Sequence, residues 1–295
     1  MKCLVIGYGS IGARHAEILK AMGHQVQVYS ERNVSFPSVV QTVEEGLSDA
    51  EYVVIATETH RHLEGLRMLQ FSGYKGIVLV EKPLFSTLED SDVKFDFKLY
   101  VGYNLRFHPA VMKLKSLIAV EQVLSVHCYV GQHLASWRQD RETNSVYSSW
   151  KDRGGGVLLD LSHEIDLLQY LFGKTMSVKA MGGRVSDLTV DSADVFGVLL
   201  KSEKCSVTTL QLNYLDNLSQ RQLIVNTKNN TYLLDLVKNS LISRETVEQF
   251  DTTRNTTYIE QHRRILHGVG EDVCTYHEGI NVLRTVEEVE KSAND

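Results

Sequence analysis

Cys3-Leu4-Val5-Ile6 runs straight into Gly7-Tyr8-Gly9-Ser10-Ile11-Gly12. The apolar run reads as a buried strand, and the glycines that follow keep the G-x-G-x-x-G spacing. Each glycine has a mechanical reason. Gly7 permits a tight turn, Gly9 lets the backbone approach a pyrophosphate, and Gly12 lets the next helix lie close to the strand. Behind them Ile11, Ile18, Leu19 and Met22 fall at helical spacing, and Gly23 stops the pattern. Strand, turn and helix together predict a dinucleotide-binding βα unit. The helix start at Ser10, Ile11 and Gly12 would offer unpaired N–H groups and a positive dipole end to phosphates. The other reading is a glycine-rich turn that binds nothing.

The chain's 295 residues suit two domains better than one. Apolar residues make up 43% and charged residues 23%, enough for a full core. A formal net charge of −6 without a dense Lys/Arg block argues against nucleic acid or an anionic membrane as the main partner. No apolar run is long enough to cross a bilayer, and the N-terminal one is too short for a signal peptide. Cys3, Cys128, Cys205 and Cys274 are scattered, with no C-x-x-C pair. They predict buried thiols in a reducing compartment, with no zinc site or disulfide framework; the cytoplasm is the expected address.

The first hundred residues alternate between strand and helix patterns. Gln25–Ser30, Tyr52–Thr57, Ile77–Glu81 and Leu99–Asn104 read as further strands, with helices near Thr42–Leu47 and from Thr59. Continuous Val/Ile/Leu runs separated by helices indicate a parallel sheet covered on both faces. Ser86-Thr87-Leu88-Glu89 has capping-box form before a brief charged stretch. From Arg106 the texture changes. A helix at His108–Ile118 precedes a strand at Val123–Gln132 and a polar segment, Trp137–Arg153. A strongly apolar helix is expected over Val157–Phe172. Strands follow in close succession at Ser177–Val185, Asp194–Lys201, Ser206–Tyr214, Gln220–Val225 and Thr231–Leu236, and short turns between them suggest antiparallel pairing. Helices near Tyr258–Leu266 and Tyr276–Lys291 end the chain. The expected architecture is a doubly wound α/β Rossmann domain over residues 1–105, then an α+β domain over 106–295 with a large, mostly antiparallel sheet.

Glu31 lies just past the second strand, where an acidic side chain can bond both ribose hydroxyls of NAD. Ser30 and Arg32 flank it and could instead hold the 2′-phosphate of NADP, or all could be solvated loop charges. Glu81-Lys82-Pro83 ends a buried strand at its carboxyl edge, where ligands bind in open α/β sheets. A partly desolvated lysine there suits proton transfer, although a surface lysine at a strand end is common. In the Val157–Phe172 helix, Leu161, Ile165, Leu168 and Phe172 make one apolar stripe, with Asp160, His163 and Asp166 away from it. Leu159, Leu167 and Leu171 project among those polar residues, so the helix should be buried and its polar groups should have partners or a cavity. His163 beside a carboxylate is a natural general base. Trp137, Tyr147 and Trp150 could form a stacking wall for a sugar ring. Arg106, Arg138 and Lys151 could meet a carboxylate or phosphate. Nearby Asp140, Glu142 and Asp152 nearly cancel that charge, so an ordinary exposed loop is the alternative.

Taken together, Gly7-x-Gly9-x-x-Gly12, Glu81-Lys82-Pro83, Arg106-Phe107-x-Pro109, and Gly154-Gly155-Gly156 followed by Asp160, His163 and Asp166 resemble the Gfo/Idh/MocA oxidoreductases. The motifs keep that family's order and cover most of the chain. The resemblance implies a Rossmann domain paired with an open, largely antiparallel sheet domain through which members form homodimers or homotetramers. It implies NAD- or NADP-dependent hydride transfer at a hydroxyl-bearing carbon of a small sugar-like substrate. Lys82 matches the family's lysine near the nicotinamide, His163 its acid/base histidine and Asp160 the neighbouring carboxylate, here three residues before the histidine. Thr57-Glu58-Thr59-His60-Arg61-His62 resembles the segment over the cofactor, with Glu58 in place of a proline. By that likeness Thr57, Thr59, His62 and Glu81 join the cofactor contacts. Gly131-Gln132-His133, Trp137-Arg138, Tyr147-Ser148 and Ser162–Asp166 resemble a subgroup associated with bacterial surface-glycan and nonulosonic-acid synthesis.

The expected reaction has His163 take the hydroxyl proton and Lys82 polarise or relay at the same oxygen. Two other readings stay open. A tightly held cofactor could drive elimination, epimerisation or glycoside cleavage by transient oxidation, or a non-catalytic protein could sense cofactor or sugar on the same fold.

Overall fold

The computed structural model describes residues 1–88, 93–134, 155–188, 190–268 and 270–295. The chain divides into two compact units, Met1–Asn104 with Asn255–Ile280, and Leu105–Arg254 with Asn281–Asp295.

In the first unit, β1 (Lys2–Ile6), β2 (Gln25–Tyr29), β3 (Tyr52–Ile55), β4 (Ile77–Val80) and β5 (Lys98–Val101) pair in parallel, in the order β2-β1-β3-β4-β5. Leu4, Val5 and Val53 to Ile55 are wholly inaccessible, as expected for central strands of a parallel sheet covered on both faces. The helices of this unit include α1 (Ser10–Ala21), α2 (Val43–Leu47) and α3 (His62–Phe71). Thr42 caps α2 by accepting the Glu45 N–H. The strand order reverses between β1 and its two neighbours, β2 and β3, which puts the topological switch point at the end of β1, beside the glycine turn.

The sequence reading places everything after residue 105 in the second domain. The structure corrects this for Asn255–Ile280, whose helix α7 (Thr256–Leu266) buries Gln261, His262 and Ile265 within the first unit. Side-chain bonds from His262 to His15 and Tyr52 hold it there.

The second unit carries the eight-stranded sheet β13-β12-β11-β10-β6-β9-β8-β7. Its strands are β6 (Val123–Gly131), β7 (Thr175–Gly183), β8 (Val195–Ser202), β9 (Cys205–Asn213), β10 (Gln220–Thr227), β11 (Thr231–Asp235), β12 (Ser240–Ile242) and β13 (Val247–Gln249). All neighbours pair antiparallel except β6 with β9. In β8 the even positions Phe196, Val198 and Leu200 are buried and the odd ones between them exposed, the period-two signature of a sheet packed on one face. Helices α4 (Pro109–Ile118), α5 (Val157–Asp160), α6 (Ser162–Phe172) and α8 (Tyr276–Asn294) complete the described structure. The expected single helix over Val157–Phe172 is broken at Leu161, whose backbone sits at φ −98°, ψ 24°. A wheel drawn through 157–172 therefore misplaces Asp160 relative to His163.

All four cysteines are free and buried, and burial pushes the Cys3 thiol up to about 11. Among the described residues no helix is long and apolar enough to cross a membrane, and no cluster of His, Cys, Asp and Glu is placed to hold a metal ion.

Candidate active site

The glycine turn has the steric character its spacing requires. At Gly7, φ is +92° and a Cβ would lie 2.7 Å from the Ala56 carbonyl oxygen, so a side chain is excluded. A Cβ on Gly12 would lie 2.0 Å from the Gly7 carbonyl oxygen, which leaves no room for any residue larger than glycine where α1 meets the turn. Gly9 is the opposite. Nothing lies within 4 Å of where its Cβ would be. Gly9 is also the N-cap of α1 and supplies no side-chain cap, so the first N–H groups of the helix have none from it. Ser10 is exposed and Ile11 half-buried at the same helix start. This is the arrangement of an anion cradle.

The turn forms one end of a crevice of about 280 Å³ lined by Gly7, Gly9, Ser30, Glu31, Arg32 and Thr57, with Tyr8, Tyr29, Glu58 and Arg61 among their neighbours. Glu31 accepts from both terminal nitrogens of Arg61, at 2.7 and 2.6 Å, and Arg61 also donates to Glu64 at 3.1 Å. The bond from Arg61 holds the Glu31 carboxyl below its usual range, so it is anionic at neutral pH. Arg32 makes only a long contact of 3.7 Å, to exposed Glu58. Thr57 contributes a buried hydroxyl with no hydrogen-bond partner among the described residues. A buried hydroxyl left unmatched in a crevice wall, an open glycine and an uncapped helix fit a dinucleotide.

Other expected cofactor contacts are placed differently. His62 is 1% exposed, with Nδ1 3.0 Å from the Pro83 carbonyl and 3.2 Å from that of Leu84, and Nε2 3.3 Å from that of Thr57. Burial lowers its pKa. His62 ties the Thr57 loop to the turn after β4. Thr59 is likewise buried. Glu81, expected at the cofactor, turns inward. Its Oε1 accepts from His15 Nε2 at 2.8 Å and its Oε2 accepts from the Lys82 backbone N–H at 3.2 Å. Lys82 itself is half-buried and precedes Pro83 through a cis bond.

In the second unit, α5 and α6 carry a row of buried acids, each accepting from an internal donor at one oxygen or more. Asp160 accepts from the Tyr214 phenol at 2.6 Å, and Glu164 accepts from Arg221 Nε at 2.6 Å. Asp166 accepts from Arg106 Nη2 at 2.6 Å and from its Nε at 3.0 Å. Arg106 and Asp166 have side-chain exposures of 1% and 0%, and the guanidinium also stacks over Tyr170 at 4.8 Å. The Arg106 fork is engaged with Asp166 inside the core. His163 differs from these acids in being only half-buried. Trp137, Arg138, Tyr147, Trp150 and Lys151, the expected sugar wall and its cations, lie outside the described residues.

Sequence reasoning assigned no role to Arg61, His15 or His262. Arg61 carried a signal, a cation in the loop after β3 facing the acid after β2. The two histidines carried none, because their partners lie 66, 210 and 247 residues away.

The class of protein follows from the two units. Residues 111–232 match the model of the GFO/IDH/MocA C-terminal domain. No curated protein matches it. Solved structures of the same fold include UDP-N-acetylglucosamine 3-dehydrogenase GnnA from Acidithiobacillus ferrooxidans, at 20% identity, TM-score 0.79, with 99% of this chain and 97% of that chain covered. Levoglucosan dehydrogenase in complex with NADH and levoglucosan aligns at 17% identity and TM-score 0.84, covering 99% and 96%. The WlbA dehydrogenase from Bordetella pertussis, in complex with NADH and UDP-GlcNAcA, aligns at 17% and 0.81, covering 99% and 95%. Identities this low establish a shared fold over the full chain.

Proposed function

We propose that the chain is an NAD-dependent oxidoreductase acting on a secondary hydroxyl, or the matching ketone, of a sugar or sugar nucleotide. The observation that carries this reading is the crevice at the glycine turn. Open space at Gly9, the uncapped start of α1 and the unmatched Thr57 hydroxyl lie beside a fixed anionic Glu31. Gly7 to Gly12 would hold the pyrophosphate. Glu31 would accept from the ribose hydroxyls and, being anionic, would repel a 2′-phosphate, which favours NAD over NADP. The three related structures are dehydrogenases of sugars or sugar nucleotides, and two of them hold NADH.

Oxidation of a secondary alcohol removes a proton from oxygen and a hydride from carbon. Bound NAD supplies the hydride acceptor. By the family resemblance, His163 would take the hydroxyl proton as general base, and Lys82 would polarise or relay. Asp160, held by Tyr214, contributes the neighbouring carboxylate. Surface-glycan synthesis is the role we propose for the product, the reducing cytoplasm the compartment, and a homodimer or homotetramer built on the open sheet face the assembly. The test is a panel of UDP-sugars and nonulosonic acids with NAD, followed at the nicotinamide absorbance, on wild type, His163→Ala and Lys82→Ala. The expected result is turnover with at least one sugar, reduced on the order of a thousandfold in either variant with cofactor affinity kept. Turnover equal to wild type in His163→Ala would remove that residue from the mechanism.

A further inference from the structure

The first unit buries a continuous row of titratable side chains that the proposed reaction does not use directly. Tyr52 Oη lies 2.9 Å from His262 Nδ1, His262 Nε2 lies 2.8 Å from His15 Nδ1, and His15 Nε2 lies 2.8 Å from Glu81 Oε1. Glu81 Oε2 then accepts the backbone N–H of Lys82 at 3.2 Å. Tyr52, His15 and His262 are fully inaccessible and Glu81 is 8% exposed. The row crosses from the amino end of β3 to the carboxyl end of β4, with α1 and α7 each supplying one ring.

With neutral rings and a carboxylate at Glu81, one assignment of protons satisfies every member. Ionised Glu81 can only accept, so His15 must donate through Nε2, which makes its Nδ1 an acceptor. His262 must therefore donate through Nε2, and its Nδ1 accepts from the Tyr52 hydroxyl. Every donor points toward Glu81. Burial supports the neutral state of His262, whose pKa is pushed well below the ordinary value, and the same burial pushes the Tyr52 phenol well up. The far end is sealed, so the row has no exit to solvent and cannot carry protons to the bulk. Its rings are also held by packing. Tyr258 meets His15 edge-on, with centroids 5.4 Å apart, and the His15 and His262 rings cross at 82°. A Cβ on Gly102 would fall 2.8 Å from Glu81 Oε1, so the carboxylate is closed in on that side by backbone.

We infer that Tyr52, His262 and His15 form a positioning row that fixes the Glu81 carboxylate and, through it, the turn that presents Lys82. This rests on the role proposed above for Lys82. It makes His262 and Tyr52, neither of which touches the crevice, determinants of the reactive lysine, and it gives the returning segment 255–280 a part in the site. An aligned row of donors ending on one carboxylate is stiffer than any single bond in it. Losing one member leaves a buried acceptor unmatched and frees the next ring to turn.

The test measures Lys82 itself and needs no sugar substrate. Wild type, Glu81→Gln, His15→Leu, His15→Gln, His262→Phe and Tyr52→Phe are acetylated competitively with trace acetic anhydride at pH 8. Mass spectrometry then gives the rate at Lys82 relative to exposed Lys228. Leu69→Ala, a core truncation in α3, controls for general loss of stability. The expected result is a Lys82 rate moved at least threefold toward that of Lys228 in Glu81→Gln and His15→Leu. Smaller shifts are expected in His262→Phe and then Tyr52→Phe. His15→Gln, which keeps a donor for Glu81, should stay within twofold of wild type, and Leu69→Ala should be unchanged. If His262→Phe does not fold, the nearly isosteric Glu81→Gln and Tyr52→Phe still decide the matter. Lys82 rates equal to wild type in Glu81→Gln and His15→Leu would overturn the inference, as would a shift in Leu69→Ala as large as theirs. Failure of every sugar in the panel would leave this measurement standing, so the two claims fail separately.

Discussion

Polar groups gather in two places in this chain, and they are treated in opposite ways. Around α6 each buried acid accepts from an internal donor: Asp166 from Arg106, Glu164 from Arg221, Asp160 at one oxygen from Tyr214. At the glycine turn the capacity is left open. The start of α1 has no side-chain cap from Gly9, open space surrounds Gly9, and the Thr57 hydroxyl has no partner among the described residues. Matched groups hold a core in one arrangement, while unmatched groups facing a crevice are what a ligand can complete. Clustered charge in a sequence does not distinguish the two. Arg106 looked like a ligand-facing cation and is a core residue; Gly9 has no polar side chain and lies where the ligand is expected.

The contrast can be broken most forcefully at the consumed end. Arg106→Ala leaves Asp166 buried without its strongest partner, and the expected loss is about 3–5 kcal/mol of stability, read by urea denaturation. A loss below about 1 kcal/mol would mean that the pair is not the structural tie described here. Acid should act next. His262 and His62 are buried with lowered pKa, so near pH 6 the unfolded chain binds protons that the native one does not. Stability is complete above about pH 6.5, the ordinary histidine value, and falls below it by at most about 1.4 kcal/mol per pH unit for each ring. Urea midpoints between pH 7.5 and 5 check this, and His262→Phe should show a shallower slope.

At the open end the expected effects fall on affinity. Glu31→Ala should narrow a preference for NADH over NADPH of about tenfold, roughly 1.4 kcal/mol, to near equality while thermal stability stays the same, because the Glu31–Arg61 fork is exposed. Unchanged preference would take Glu31 out of cofactor selection. The smallest stability effect belongs to Gly9. Serine there can cap α1 with its hydroxyl, so Gly9→Ser should leave stability equal or raise it by about 0.5 kcal/mol, as thermal melts would read.

Legibility follows the range of the interaction. The glycine turn is a local event in sequence, and its steric demands can be read from spacing alone. The strands of the parallel sheet announce themselves as buried apolar runs, and β8 and β9 by alternation. Strands β12 and β13 have three residues each, too few to show a period, and they were not expected. The break at Leu161 is a backbone event that the apolar pattern on either side conceals. The burial of Arg106 depends on Asp166, 60 residues on, and the return of segment 255–280 depends on His262 meeting His15 and Tyr52. Nothing local encodes such pairings.

The central claim is that the crevice at Gly9 binds a nicotinamide dinucleotide. Its most direct test is a titration of purified wild type and Gly9→Ser with NADH, followed by nicotinamide fluorescence. The account predicts saturable binding to wild type at micromolar concentrations, and affinity at least tenfold weaker in Gly9→Ser, whose fold is intact. Wild type that binds neither NADH nor NADPH, or a Gly9→Ser variant that binds NADH as well as wild type, would contradict it.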